Sequence, residues 1–394
     1  MSRRVAIVEA KRTPIGRFLG AFQDHSAVAL GKEVSRVVLK NAGVNGDSVD
    51  EVFLGHARQA GCGPNPARQV TIGAGMPETV PAFTINAACG SGMKSIALGV
   101  DDIRAGRAEC VLAGGMENMT RVPFMLDQAR LGYRLGHARM VDGMYRDGFV
   151  CPIADMVMGE TAELLAEEYD IPRAEQDEWA VTSQHRAGAA IADGRMAEEI
   201  VAVTTRDRKK REVTVDADEH PRAGASLESL AKLPAVFRNP GTVTAGNASG
   251  ITDGAVAVVL VSEERAKAMG RAPMGYVRDF AVTGVDPKRM GIGPVPATRM
   301  LLERNKMTLG DVDVIELNEA FAAQVIACER EMKFDRDRVN RVGGSIALGH
   351  PIGCTGARIV VTLLHEMQRS DASLGLATLC VSGGMGMSML IERS

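Results

Sequence analysis

The feature that most constrains how this chain can fold is an internal duplication. In the first half a helix pattern, Leu30 to Ala42, leads to Val49-Asp50-Glu51-Val52-Phe53-Leu54; in the second, Ala297 to Met307 leads to Val312-Asp313-Val314-Ile315-Glu316-Leu317. About 40 residues after each Val-Asp pair a glycine-rich turn opens a helix, at Cys89-Gly90-Ser91-Gly92 and at Gly353-Cys354-Thr355-Gly356. Each helix is followed by a buried-strand run ending in Gly-Gly-Met, Val111 to Met116 and Leu379 to Met385. Three pieces in one order predict two homologous α/β halves. At 394 residues the chain also exceeds what one core supports.

Between the halves the period changes. From Arg121 to Ala248 a polar, glycine-containing stretch gives way to amphipathic helix patterns over Gly159–Tyr169 and Arg173–Asp193, the latter holding the only tryptophan, Trp179. This reads as an insertion, after which Ala255 to Val261 supplies an apolar run that completes the sheet of the first half. The expected domains are residues 1–120 with 249–270, residues 121–248, and residues 271–394. Within the insertion a basic cluster, Arg206, Arg208, Lys209, Lys210 and Arg211, lies between the strand-like runs Ile200–Val203 and Val213–Val215. It is either a solvated hairpin tip or a site that meets phosphate.

With 45% hydrophobic and 24% charged residues the composition is globular, and a net charge of -3 provides no basic field for nucleic acid or an anionic membrane. Seven scattered cysteines form neither a disulfide framework nor a repeated CxxC metal pattern, which predicts a reducing compartment. Met1-Ser2-Arg3-Arg4 passes at once into the strand-like Val5–Val8, and no run approaches the roughly 20 apolar residues of a membrane span. Ile391-Glu392-Arg393-Ser394 is not a peroxisomal tripeptide. Cytoplasm is the expectation.

The chemistry gathers on four loops. Asn86 to Gly92 carries Cys89 on a strand-to-helix turn, and the apolar spacing Met93, Ile96, Ala97, Val100, Ile103 marks the helix behind it. Unpaired N–H groups and the helix dipole there are expected to favour thiolate. A buried cysteine at a glycine turn is the alternative. In the second half Asn318-Glu319-Ala320-Phe321 follows a strand, Gly349-His350-Pro351-Ile352-Gly353 precedes the second glycine turn, and Cys380-Val381-Ser382-Gly383-Gly384 ends the penultimate strand. If the two halves pack with their central helices together, His350 and Cys380 arrive beside Cys89, assembling nucleophile, base and a second thiol.

NAACGSG (Asn86–Gly92), NEAFA (Asn318–Ala322), GGSIALGHPIGCTGAR (Gly343–Arg358) and LCVSGGMGM (Leu379–Met387) resemble, in order and spacing, the signature blocks of the thiolases. VTAGNASGITDG (Val243–Gly254) matches as well, and the similarity runs from the Val8–Gly16 opening to the last strand. The resemblance implies a five-layered α-β-α-β-α sandwich of two similar halves with an inserted loop domain that binds coenzyme A. It implies reversible thiolysis of 3-ketoacyl-CoA, or the reverse Claisen condensation, with CoA and acyl-CoA as substrates and neither resident cofactor nor metal.

Under this resemblance Cys89 would hold the acyl group as a thioester and His350 would take the Cys89 proton. Cys380 would exchange a proton with the α-carbon of acetyl-CoA. Asn318 would hold a water that, with His350, forms one oxyanion hole; the backbone N–H groups of Cys89 and Ser382 would form the other. Ser249 would meet the pantetheine arm, Arg222 the adenosine end, and Met158, Met290 and Phe321 the acyl group; core filling is the alternative for these last three. The segment Arg121–Asp147 resembles the loop that joins dimers into a homotetramer.

Two positions depart from the family pattern. Val157 stands where short-chain members typically carry histidine, leaving room for longer or branched acyl chains. Ser382 stands where glycine is common, at a cost of about 1 kcal/mol or more if φ must be positive. A non-catalytic CoA-binding subunit of the same fold and a Cys/His thioester hydrolase are the competing readings. A dinucleotide-binding dehydrogenase is excluded because Gly90-Ser91-Gly92 lacks the GxGxxG spacing.

Overall fold

The computed structural model describes residues 3–207 and 209–393, so Met1, Ser2, Arg208 and Ser394 lie outside the described residues. The principal elements are β1 (Val5–Arg12), α1 (Ala27–Ala42), β2 (Glu51–Gly55), α2 (Pro66–Gly73), β3 (Ala82–Ile85), α3 (Ser91–Arg104), β4 (Cys110–Asn118), α4 (Met158–Glu168) and α5 (Arg173–Ala192). They continue with β5 (Thr252–Ser262), β6 (Gly275–Gly284), α6 (Pro294–Arg304), β7 (Val314–Leu317), α7 (Ala322–Met332), α8 (Ile352–Arg369), β8 (Leu374–Val381) and β9 (Met385–Glu392). Helix α6 starts three residues before the apolar pattern does. Pro294 occupies its first position, where a missing N–H costs nothing.

The first half-sheet runs β3-β2-β4-β5-β1 and the second runs β6-β9-β8-β7, the same order traced outward from a shared edge. There β1 and β6 pair antiparallel, Val5 with Val277 and Ile7 with Gly275. A single parallel bridge between Ile315 and Val339 stands where β3 stands in the first half. Segment 121–248 gives no strand to this sheet among the described residues, and α4 and α5 pack against α7.

Helices α3 and α8 lie between the half-sheets in one apolar core, which takes Met93, Ile96, Val100, Ile359, Val360 and Leu363 from the helices and Val111, Val258, Ala377 and Met389 from the strands. The outward face of the first half-sheet is covered by α1 and α2, and that of the second by α6 and α7. These are the five layers. The two central helices touch at glycines: a Cβ on Gly92 would stand 2.7 Å from the amide of Ala357, and one on Gly356 would stand 2.7 Å from the amide of Met93. Only hydrogen fits at either place.

Register shows which repeats are true. Asp50 accepts the amides of Glu109 and Cys110 at 2.7 and 2.9 Å, and Asp313 accepts those of Ser373 and Leu374 at 2.9 Å each. Equating these pairs sets Met116 against Cys380 and Glu117 against Val381. The Gly-Gly-Met match therefore fails as a structural repeat. Gly114 and Gly115 lie inside β4, whereas Gly383 and Gly384, at φ +89° and +85°, make the turn between β8 and β9.

Candidate active site

The turn that presents Cys89 is held by its own polar groups. The Asn86 side chain donates to the Ala57 carbonyl at 3.2 Å and accepts the Ala88 amide at 3.0 Å, and the Ser91 hydroxyl accepts the Ala87 amide at 2.9 Å and donates to the Ala88 carbonyl at 2.6 Å. These bonds maintain Ala88 at φ +46°, a left-handed conformation costing about 1 kcal/mol or more in a residue with a Cβ. Cys89 emerges half-buried at the start of α3 with a free thiol. Contrary to the expectation of a favoured thiolate, burial raises the thiol above its ordinary value. The amide of Ser382, the charge of Arg58 and its own amide pull the other way without prevailing.

His350 is buried on the loop before α8. Its Nδ1 lies 2.7 Å from the Thr355 hydroxyl, which directs its single proton to the Pro351 carbonyl at 2.9 Å. Nδ1 therefore carries hydrogen, and Nε2 is left as the lone-pair nitrogen with no protein partner among the described residues. Burial, then the charges of Arg358 and Arg58, push its pKa down to about 3, so the imidazole is neutral at physiological pH. Cys380 ends β8, buried. Burial above all, with the neighbouring thiols of Cys89 and Cys328, raises it well above the ordinary thiol value. Ser382 is absent from the positive-φ residues, because Gly383 and Gly384 absorb the turn; the strain considered for serine does not arise.

Asn318 follows β7 and is fully buried behind the cavity wall. Arg358, which can only donate, gives a hydrogen bond to the Ser345 hydroxyl at 2.9 Å, and Ser345 passes its own proton to Asn318 Oδ1 at 2.6 Å. The amide can face Ser345 only with its oxygen. Nδ2 is thus left as a donor with no protein acceptor among the described residues. Glu316 steadies Arg358 at 3.3 Å; burial raises its own carboxyl to about 8 despite that charge.

Cys89, His350, Cys380, Ser382, Ser249, Arg222, Met158, Met290 and Phe321 all line one cavity of about 510 Å³, and Asn318 is not among its lining residues. Arg222 is exposed, and the Ser249 amide is bonded to the Ala320 carbonyl at 3.0 Å. Val157 lines the cavity too. Phe237 packs edge-on against Phe321, with ring centres 6.0 Å apart.

Sequence reasoning missed Arg58, His220, Phe237, Tyr145 and Phe149, which also line the cavity. For His220 the Asp-Glu-His-Pro-Arg context beside Arg222 was a usable signal; the others lie in stretches without a motif. The basic cluster is a hairpin tip between Val203–Arg206 and Glu212–Val215, where Asp207 accepts the Lys209 and Arg211 amides; Arg208 lies outside the described residues. No group of three or more His, Cys, Asp or Glu among the described residues is placed to hold a metal, and no helix among them is long and apolar enough to cross a membrane.

Residues 5–264 match the family described as thiolase, N-terminal domain, and residues 271–393 the thiolase, C-terminal domain. An acetyl-CoA acetyltransferase of Pseudomonas aeruginosa is 50% identical over 99% of both chains. The crystal structure of the Bacillus anthracis acetyl-CoA acetyltransferase superposes with a TM-score of 0.97 at 46% identity, covering 99% of each chain. That of human mitochondrial 3-ketoacyl-CoA thiolase gives 0.96 at 38%, over 100% of this chain and 99% of that one. Fold, full-length identity and the ring of cysteines and histidine around one cavity agree: this chain belongs to the thiolase family.

Proposed function

We propose that this thiolase is an acyl-CoA C-acyltransferase working through an acyl-cysteine on Cys89. The observation that carries the mechanism is that Cys89, His350 and Cys380, from two halves of the chain, line the same cavity. In thiolysis Cys89 Sγ attacks the 3-keto carbon while its proton passes to His350 Nε2. The C2–C3 bond breaks, and Cys380 protonates C2 as acetyl-CoA leaves. A CoA thiol then gives its proton to Cys380 and attacks the thioester; departing Cys89 recovers its proton from His350. Condensation is the reverse.

Several features support the assigned parts. Neutral His350, with its proton fixed on Nδ1, is ready to accept at Nε2. The amides of Cys89 and Ser382 both act to lower the Cys89 thiol against its burial, which supports them as donors to a thioester oxygen formed there, each such donor being worth roughly 3 kcal/mol in the transition state. Asn318 Nδ2, an open donor, would hold the water that with His350 forms the second oxyanion site. Met158, Met290 and Phe321 wall the acyl group, Ser249 meets the pantetheine arm and Arg222 the adenosine end. CoA and acyl-CoA are substrates, and no resident cofactor enters this scheme.

We assign residues 1–120 with 249–270 to the nucleophile half, 271–394 to the acid/base half, and 121–248 to CoA binding and subunit contacts. Exposed Leu131, Leu135 and Met140 in Arg121–Asp147 support a homotetramer, testable by light scattering. All seven cysteines are free, which suits the cytoplasm. Brief incubation with acetyl-CoA, acid quench and peptide mass spectrometry should find the acetyl group on Cys89. A Cys89→Ser variant with full turnover would rule the mechanism out.

A further inference from the structure

Most of the inner cavity is apolar, and one lining residue has no reason to be there on grounds of stability. Arg58 is 5% exposed, and its guanidinium lies over Gly148, where a Cβ would stand 2.6 Å from Nε. Its only hydrogen bond among the described residues is made by its backbone amide to Glu117; no carboxylate lies within salt-bridge distance of its guanidinium, and Nε has no acceptor. Glu117 spends its oxygens on the amides of Ala57, Arg58 and Gly353. A buried cation is normally paired, because nothing else returns the hydration it loses.

The place of this charge narrows what could pair with it. Arg58 lines the cavity with Cys89 and His350, and its chain neighbour Ala57 packs in one cluster with Cys89 and Ile352 and accepts the Asn86 side chain at 3.2 Å, so the guanidinium stands at the reacting end of the cavity. A CoA whose sulfur reaches Cys89 carries its phosphates the length of the pantetheine arm away. An anion beside Arg58 therefore belongs to the acyl group.

We propose that Arg58 is a specificity residue that pairs with a carboxylate borne by the acyl chain, making the preferred substrate a 3-ketoacyl-CoA that ends in a carboxylate rather than a methyl group. The proposal rests on the acyl-CoA reading of the cavity. A planar guanidinium offers two parallel donors to such a group, and the desolvated site penalises a chain that leaves them empty.

The test uses two 3-ketoacyl-CoA substrates of equal length, one ending in carboxylate and one in methyl, with kcat/KM measured for the wild type, Arg58→Leu and Arg58→Lys. The wild type should favour the carboxylate by at least about tenfold. Arg58→Leu should lose about a hundredfold on that substrate and invert the preference. Arg58→Lys, a point charge without the fork, should fall between them. Equal or better use of the methyl substrate by the wild type overturns the proposal, whether or not the variants fold. So does an equal loss on both substrates in Arg58→Leu with a shifted pH profile, which would make Arg58 an electrostatic support for Cys89. Absence of any acyl group on Cys89 with either substrate overturns the parent reading as well, and mass spectrometry separates that outcome from the others.

Discussion

The starts of α3 and α8 are the same piece of structure used twice, and they differ in what meets their first amides. At α8 the Gly353 amide donates to Glu117 at 2.9 Å, a carboxylate supplied by the other half. By register the counterpart of Glu117 is Val381, whose Cγ2 would stand 3.1 Å from a Cβ on Gly90. Valine cannot accept a hydrogen bond. One helix start is therefore closed by a side chain. At the other the amides of Gly90 and Ser91 are taken by the Ala87 and Ala88 carbonyls, no carboxylate meets the Cys89 amide among the described residues, and cysteine stands where its twin carries glycine. Duplication supplied two helix starts, one of which meets a carboxylate while an apolar residue stands at the equivalent place beside the other.

Making the two starts alike should do the most damage. Cys89→Ala removes the one reactive group that distinguishes them and should lower kcat by about 10⁴-fold or more, read in a steady-state thiolysis assay together with loss of the acyl-enzyme peptide. Val381→Glu would close the first helix start as Glu117 closes the second. It should cost about 10²–10³ in kcat while Cys89 remains alkylatable in the unfolded chain; normal turnover would remove the asymmetry argument.

Smaller effects sharpen the comparison. Ser345→Ala frees the Asn318 amide to turn. It should cost about tenfold in kcat with KM little changed, less than the 10²–10³ of losing a donor outright, and Ser345→Thr should restore most of it. The pH dependence of stability tests His350. Its folded-state pKa, pushed down to about 3, lies below the unfolded value of about 6.5, so the unfolded chain binds the proton first. The stability it contributes is complete above pH 6.5 and is lost as pH falls toward 3. Urea midpoints of the wild type should accordingly drop across that window more than those of His350→Asn.

The signature loops were legible in the sequence because the chemistry demands particular side chains on short glycine-rich turns, and Cys89, His350 and Cys380 all stand there. The Val-Asp and glycine-turn repeats were legible for a similar reason, since each makes a local backbone contact. The Gly-Gly-Met repeat misled: identical letters serve a strand interior in one half and a left-handed turn in the other, and only strand register separates them. Burial was equally out of reach. It decides that the Cys89 thiol is raised rather than lowered, keeps Asn318 off the cavity lining, and leaves the Arg58 guanidinium without a carboxylate partner among the described residues. Each of these depends on atoms that lie far away along the chain.

The reciprocal contact of Gly92 and Gly356 has a consequence for how such a molecule diversifies. Two backbones in direct touch leave no slack, so the separation between the helix that follows the sulfur and the helix that follows the imidazole is set at this contact. Val157, Tyr145, Phe149 and Phe237 hang on the excursion outside that contact. Mutations there can reshape the cavity lining, one residue at a time, while the two central helices keep their spacing.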